Sequence, residues 1–211
     1  MRQQSLKIFV LFLLGVILGP FQAAADSGLV AGAKVGAGFG QPFGPFGAAL
    51  VPELEVGYAL PALDGDLVPF IAASYAAPRT ESEAEADEHE RLPGDGVMRY
   101  DIVHQQLVLT LGARYFLPVG PEAISPYAAG GARLYLMRTQ VSAEAGGEDF
   151  GYNEETDTRL GLHLALGTEM ALGPGAALLE LGMGYARIDG YVLRDTNAGA
   201  MTVAVGYRLF F

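Results

Sequence analysis

The sequence predicts an all-β chain: a closed, antiparallel, up-and-down transmembrane β-barrel of eight strands. Three observations lead there. Apolar residues recur at every second position along nearly the whole chain after residue 25. Most of these alternating runs are about 11–15 residues long, against roughly 5–6 for an ordinary strand and about 9–11 for a tilted strand crossing a bilayer. The connections between runs are alternately short and long, the arrangement of an outer-membrane barrel with tight turns on one side and long loops on the other.

Residues 1–25 read as a cleaved secretory signal peptide. Arg2 and Lys7 supply the positive start, Ile8 to Leu18 the apolar core, Gly19 and Pro20 the break, and Ala23-Ala24-Ala25 the small residues before Asp26. The core is about half the length a membrane-spanning helix needs. No later run is long and apolar enough for one, the best being interrupted by Glu180, Gly182 and Gly184. Removing the leader deletes two cations and no acid, so the net charge moves from −11 to −13 for a barrel domain of residues 26–211.

The strands follow in order. Leu29 to Phe39 sets Val35, Ala37 and Phe39 against Lys34, Gly36 and Gly38. Leu50 to Leu60 sets Leu54, Val56, Tyr58 and Leu60 against Glu53, Glu55 and Gly57. Leu67 to Ala77 is short and carries Pro69. Asp101 to Leu117 sets Leu107, Leu109, Leu111 and Tyr115 against His104, Gln106, Thr110 and Arg114. Pro126 to Thr139 sets Leu134 and Leu136 against Arg133 and Tyr135. Thr158 to Leu172 sets Leu160, Leu162, Leu164 and Leu166 against Arg159, His163 and Glu169. Ala176 to Ala186 sets Leu179, Leu181, Met183 and Tyr185 against Glu180. The last run, from Gly199, sets Met201, Val203, Val205, Tyr207, Leu209 and Phe211 against Thr202, Gly206, Arg208 and Phe210. In a strand these two sets face opposite ways. An even strand number puts both chain ends on the short-turn side.

Energetics says which face meets lipid. A Lys or Arg facing mid-bilayer costs roughly 2–4 kcal/mol, and the strand charges, Lys34, Glu53, Glu55, Arg114, Arg133, Arg159, Glu169, Glu180 and Arg208, lie on the small-residue face. That face is the lumen. A soluble ligand-binding barrel would reverse the arrangement. Tyr58, Tyr115, Tyr207 and Phe211 map to one rim and Phe39, Tyr75 and Tyr185 to the other, where amphipathic rings settle.

With these features on the page, the signal peptide, the alternating strands and the closing segment MTVAVGYRLFF resemble small outer-membrane barrels of the OmpA/OmpX type. The resemblance implies that Val203, Val205, Tyr207, Leu209 and Phe211 form the signal read by the barrel-assembly machinery, and that the barrel sits as a monomer in outer-membrane lipid and lipopolysaccharide. The OmpA pattern adds a peptidoglycan-binding domain after the barrel. This sequence ends at the closing strand, so that role is not expected.

Eight strands leave a lumen just wide enough for side chains to fill. Lys34, Glu53, Glu55, His104, Arg114, Arg133, Arg159, His163, Glu169, Glu180 and Arg208 are the candidate polar lining. Hairpin counting sets Lys34 beside Glu53 and Glu55, and Glu169 beside Glu180, with Arg114, Arg133 or Arg208 as the cation between them, since an unpaired buried charge is costly. Two readings stand: a lumen plugged by salt bridges, with a structural or surface-contact role (envelope integrity, adhesion or loop-mediated contact), and a small OmpW-type transport pore. A lipid-modifying enzyme is a third and weaker reading. His104 and Ser74 point inward, and the His-any-Ser signature of lipid A deacylase barrels is absent at His163-Leu164-Ala165. No enzyme, cofactor or metal is expected: there is no cysteine, and the histidines lack ligand spacing. An acidic chain has no nucleic-acid partner.

Outside the strands, Glu81, Glu83, Glu85, Asp87, Glu88 and Glu90 crowd one segment. It reads as a solvated, self-repelling loop without the spacing of a calcium loop. Glu144 to Asp157, with Gly146, Gly147 and Gly151, reads as a second acidic loop. An extracellular partner would meet these loops.

Overall fold

The computed structural model describes residues 28–60, 66–84, 97–119, 124–189 and 195–211. The leader, and Glu85, Asp87, Glu88 and Glu90 of the acidic segment, lie outside them.

Among the described residues the elements are strands β1 (Leu29–Phe39), β2 (Ala49–Tyr58), β3 (Leu67–Ala76), β4 (Arg79–Ala84), β5 (Met98–Phe116), β6 (Ile124–Ala145), β7 (Glu148–Leu172), β8 (Gly175–Tyr185), β9 (Arg187–Asp189), β10 (Asp195–Asn197) and β11 (Met201–Phe210), with one 3-10 turn at Gly44–Phe46. Nine strands form one antiparallel sheet in the order β3-β2-β1-β11-β8-β7-β6-β5-β4, and a further pairing of β3 with β5 brings it into a closed ring-like arrangement. The first and last described strands meet, with Phe211 N–H donating to Leu29 O at 2.9 Å. Closure of this kind leaves few backbone groups unpaired, as hydrocarbon surroundings demand.

Side chains sort by parity. Leu111, Leu160, Leu162, Leu164, Leu166, Leu179, Leu181, Met183, Val203 and Val205 are exposed, while Lys34, Glu55, Arg114, Glu169, Glu180 and Arg208 are buried. The molecule is therefore oily outside and ionic inside, the inverse of a soluble domain. At the last strand the pattern ends at the rim. Phe210, on the inward parity, is exposed, and Phe211 is half-buried.

The long connections differ from their expected form. The segment read as an acidic loop from Glu144 to Asp157 is a tall hairpin, with β6 and β7 paired up to Ala145 opposite Glu148. Gly146 (φ 58°) and Gly147 (φ 83°) make its two-residue turn, the left-handed pair that matches strand twist. A register shift at Ala143/Glu144 leaves Phe150 as the extra residue. Likewise β4 pairs Arg79–Ala84 with Val103–Met98 of β5, and β9 pairs with β10. Above Thr158 β7 is exposed on both faces, so no apolar alternation announces it, whereas β9 is short and turns Ile188 into a buried cluster with Val108, Tyr135 and Met137. The sheet counts nine strands because β3 and β4 pair in succession along the same long β5.

Candidate functional site

The lumen is built from the inward parity of the ring strands. At its centre Arg208 on β11 is fully buried. Its guanidinium makes a very short contact to Glu55 through Nε and another to Glu169 through Nη1, and Nη2 stands 3.5 Å from Glu180. Lys34 reaches Glu53 at 2.7 Å, Glu180 at 2.8 Å and Glu55 at 3.3 Å. Arg114 donates to Glu55 at 2.7 Å, and the Tyr127 hydroxyl donates to Glu180 at 2.8 Å. The Tyr127 ring lies under two guanidinium groups, 5.2 Å from Arg114 and 5.0 Å from Arg208, an attraction that strengthens when desolvated. Beneath that ring is Gly167, where an added methyl would run into Tyr127. Three cations thus interlock with four carboxylates drawn from strands on opposite sides of the ring.

Arg133 stands apart. Of the cations considered for the Glu169–Glu180 pair, Arg208 takes that place, and Arg133 donates to Thr110 at 3.2 Å instead. It lines a cavity of about 40 Å³ together with Lys34, Glu53, Ser74, Gln106, Tyr135 and Glu180, room for a few waters and not for a stream of solute. His163 Nδ1 is buried with no hydrogen-bond partner among the described residues. Arg159 is not brought into the network: it pairs at 2.8 Å with Asp157, two residues away on its own strand.

Toward the long-loop end, the Gly40–Gly47 connection tucks Phe43 into the mouth against Ala49, Ala76 and Ala200. Phe43 and Phe46 both lie 6.2 Å from the His104 ring. His104 Nε2 is 3.2 Å from Gln106 Oε1 and Nδ1 is 2.9 Å from Thr139 Oγ1. The ring therefore donates to Gln106 and accepts from Thr139, and Ser74 is not its partner. Among the described residues no group of three or more His, Asp or Glu is arranged to hold a metal. Tyr127, Phe70 and Phe43 complete the filling of the lumen. Sequence reasoning missed Tyr127 and Phe70 because an inward aromatic on a strand looks like any strand aromatic, and Phe43 because it lies in a connection, where no strand parity points it inward.

Above the ring, Arg138 grips Glu154 with two hydrogen bonds of 2.8 and 2.7 Å, and the Tyr152 hydroxyl donates to the same carboxylate at 2.5 Å. These bonds, Arg138 first, lower the Glu154 carboxyl from 4.5 to about 2. A depressed folded value means the pair is fully formed above pH 4.5 and dissolves only as pH falls toward 2. Carboxyl carbon-13 titration is expected to show this midpoint near 2. A midpoint in the ordinary carboxylate range would remove the Arg138 clamp.

A family model for the outer membrane protein beta-barrel domain matches residues 8–208. Among curated proteins nothing matches. Among solved structures, the chain is similar to a major outer membrane protein from Thermus thermophilus, at 14% identity and TM-score 0.54, covering 87% of this chain and 99% of that one. It is also similar to Neisserial surface protein A, at 21% identity and TM-score 0.43, covering 87% and 96%. A third is Ail, the attachment invasion locus protein of Yersinia pestis, at 17% identity and TM-score 0.44, covering 87% and 97%. At these identities the likeness to the Thermus protein speaks for the fold.

Proposed function

We propose, on the premise that the chain belongs to the outer membrane protein beta-barrel domain family, that it is a plugged barrel whose work is done at the cell surface and in the envelope. The chain is a β-barrel protein of the outer membrane. In this reading eight strands, β1, β2, β3, β5, β6, β7, β8 and β11, close the wall completely, and β4, β9, β10 and the tops of β5, β6 and β7 rise outside the cell. Residues 1–25 direct export and are removed before Asp26. The barrel-assembly machinery reads Val203, Val205, Tyr207, Leu209 and Phe211. Outer-membrane lipid and lipopolysaccharide surround the apolar belt, and the barrel works as a monomer. The role is non-enzymatic, and no cofactor is involved.

One observation carries the plug: Arg208, with no exposed surface, ties together carboxylates of β2, β7 and β8 across the lumen. Breaking it would strand buried charge. With the ions locked and the cavity too small for solutes, what remains open to partners is the outer extension. The test is conductance in planar lipid bilayers. Purified protein is expected to give no steady current. A steady current that Arg133→Ala changes would overturn the plug in favour of a small transport pore.

A further inference from the structure

Phe43 and Arg133 face the same lumen cavity, and Phe43 covers it toward the long-loop end. The Phe43 ring is 2% exposed, with Ala49, Ala76 and Ala200 around it. Gly38 faces it as well, and a methyl added there would meet the ring at 2.7 Å. Small residues on the wall thus leave a seat shaped for one aromatic ring. His104 stands edge-on to that seat, its ring 6.2 Å from Phe43 at 67°, an arrangement that attracts any aromatic ring. Packing holds Phe43 in. The backbone hydrogen bonds of its connection are local, Phe46 N–H to Phe43 O at 2.9 Å and Gly47 N–H to Gly44 O at 3.2 Å, so the ring can leave without breaking a bond to the wall. While Phe43 is in place the cavity is too small for a solute. With the ring withdrawn, seat and cavity become one space.

Charge decides what fills that space. The ionic side chains lining the cavity are Lys34, Glu53, Glu180 and Arg133. Lys34 holds both carboxylates, at 2.7 and 2.8 Å. Arg133 is left with neutral neighbours: Thr110 accepts from Nε at 3.2 Å, and the Tyr135 hydroxyl is the other. Among the described residues no carboxylate pairs with Arg133, although it is only 8% exposed. A guanidinium buried without a counter-charge is costly, and its planar fork matches a carboxylate with parallel N–H bonds. The seat and the cation therefore suit the two ends of one molecule. We infer that the upper lumen is a binding site for a small aromatic carboxylate, its ring in the place of Phe43 and its carboxylate on Arg133. Phe43 is then a built-in occupant that the ligand displaces.

This site goes beyond the plug: the Arg208 network closes the lumen deeper down, and the ligand enters and leaves by the outer mouth. The test places the whole barrel, carbon-13-labelled at its alanine methyls, in lipid nanodiscs and titrates in hydrocinnamate. The Ala49, Ala76 and Ala200 signals are expected to shift and saturate as one ring replaces another. Hydrocinnamyl alcohol keeps the ring and lacks the charge, and is expected to bind about tenfold more weakly or worse. Arg133→Gln is expected to weaken the acid by about tenfold and to leave the alcohol unchanged. Phe43→Ala, which vacates the seat, is expected to tighten the acid by roughly tenfold, because the closed state no longer competes. Equal binding of acid and alcohol to the unaltered barrel would overturn the role of Arg133 without depending on any variant folding. Signals that drift without saturating, alike in the unaltered barrel and in Phe43→Ala, would mean partition into lipid and overturn the site. No shift of these methyls in either protein at about 20 mM acid would overturn the proposal outright.

Discussion

Arg208→Met is expected to lower the stability of the folded barrel by about 3–5 kcal/mol, the usual cost of removing one partner from a buried ion network. Methionine fills similar space, so the loss comes from charge more than from a void. After the change Glu55 keeps Lys34 and Arg114, and Glu180 keeps Lys34. Glu169 is worse placed, because Arg208 is its one ion-pair partner among the described residues. The double change Arg208→Met with Glu169→Gln should therefore recover part of the loss, since a neutral amide is cheaper to bury than a lone carboxylate. Arg208→Lys should fall between, keeping the charge but losing the fork that holds two carboxylates at once. Urea unfolding in detergent micelles, followed by circular dichroism, reads all three. A loss under about 1 kcal/mol for Arg208→Met, as at a solvated surface pair, would mean water fills the lumen, and the plug would fall with it.

How much of this was legible depends on whether a strand has one oily face. Leu160, Leu162, Leu164 and Leu166 announce β7 inside the bilayer because lipid requires every second residue to be apolar. The same strand above Thr158 has two wet faces, and its acids and glycines look like a loop. Cross-strand neighbours were also legible, since hairpin counting places Lys34 opposite Glu53, as the register has it. Partners across the lumen were not. Lys34 and Glu180 are 146 residues apart and meet at 2.8 Å only because closing the ring turns both inward. Arg133 and Arg208 are chemically alike in the sequence, and only their heights in the barrel decide which one joins the carboxylates. Tyr127 sits inside and Tyr58 outside for the same reason: residue type reports strand preference, and strand parity within the ring reports the side.

Leu166→Arg is expected to cost about 2–4 kcal/mol, and Leu160→Arg only about 0–1 kcal/mol, although both leucines are exposed and lie on one strand. Leu166 pairs with Ala128 on one side and Leu181 on the other, and Leu181 in turn faces Val203. That is mid-wall, where an arginine has no short route to water. Leu160 lies beyond the pairing of Leu162 with the rim aromatic Tyr185, where a long side chain reaches the headgroups. In water neither position would matter, since exposed surface substitutions fall within about ±0.5 kcal/mol. The difference between the two variants, measured by reversible unfolding in lipid vesicles, therefore reads the solvent outside the wall directly. Equal small effects at both sites would mean that the exposed leucines do not face hydrocarbon, and the interior charges would then need another explanation. A large effect at Leu166 alone gives the belt its depth and leaves β7 above Thr158 in water.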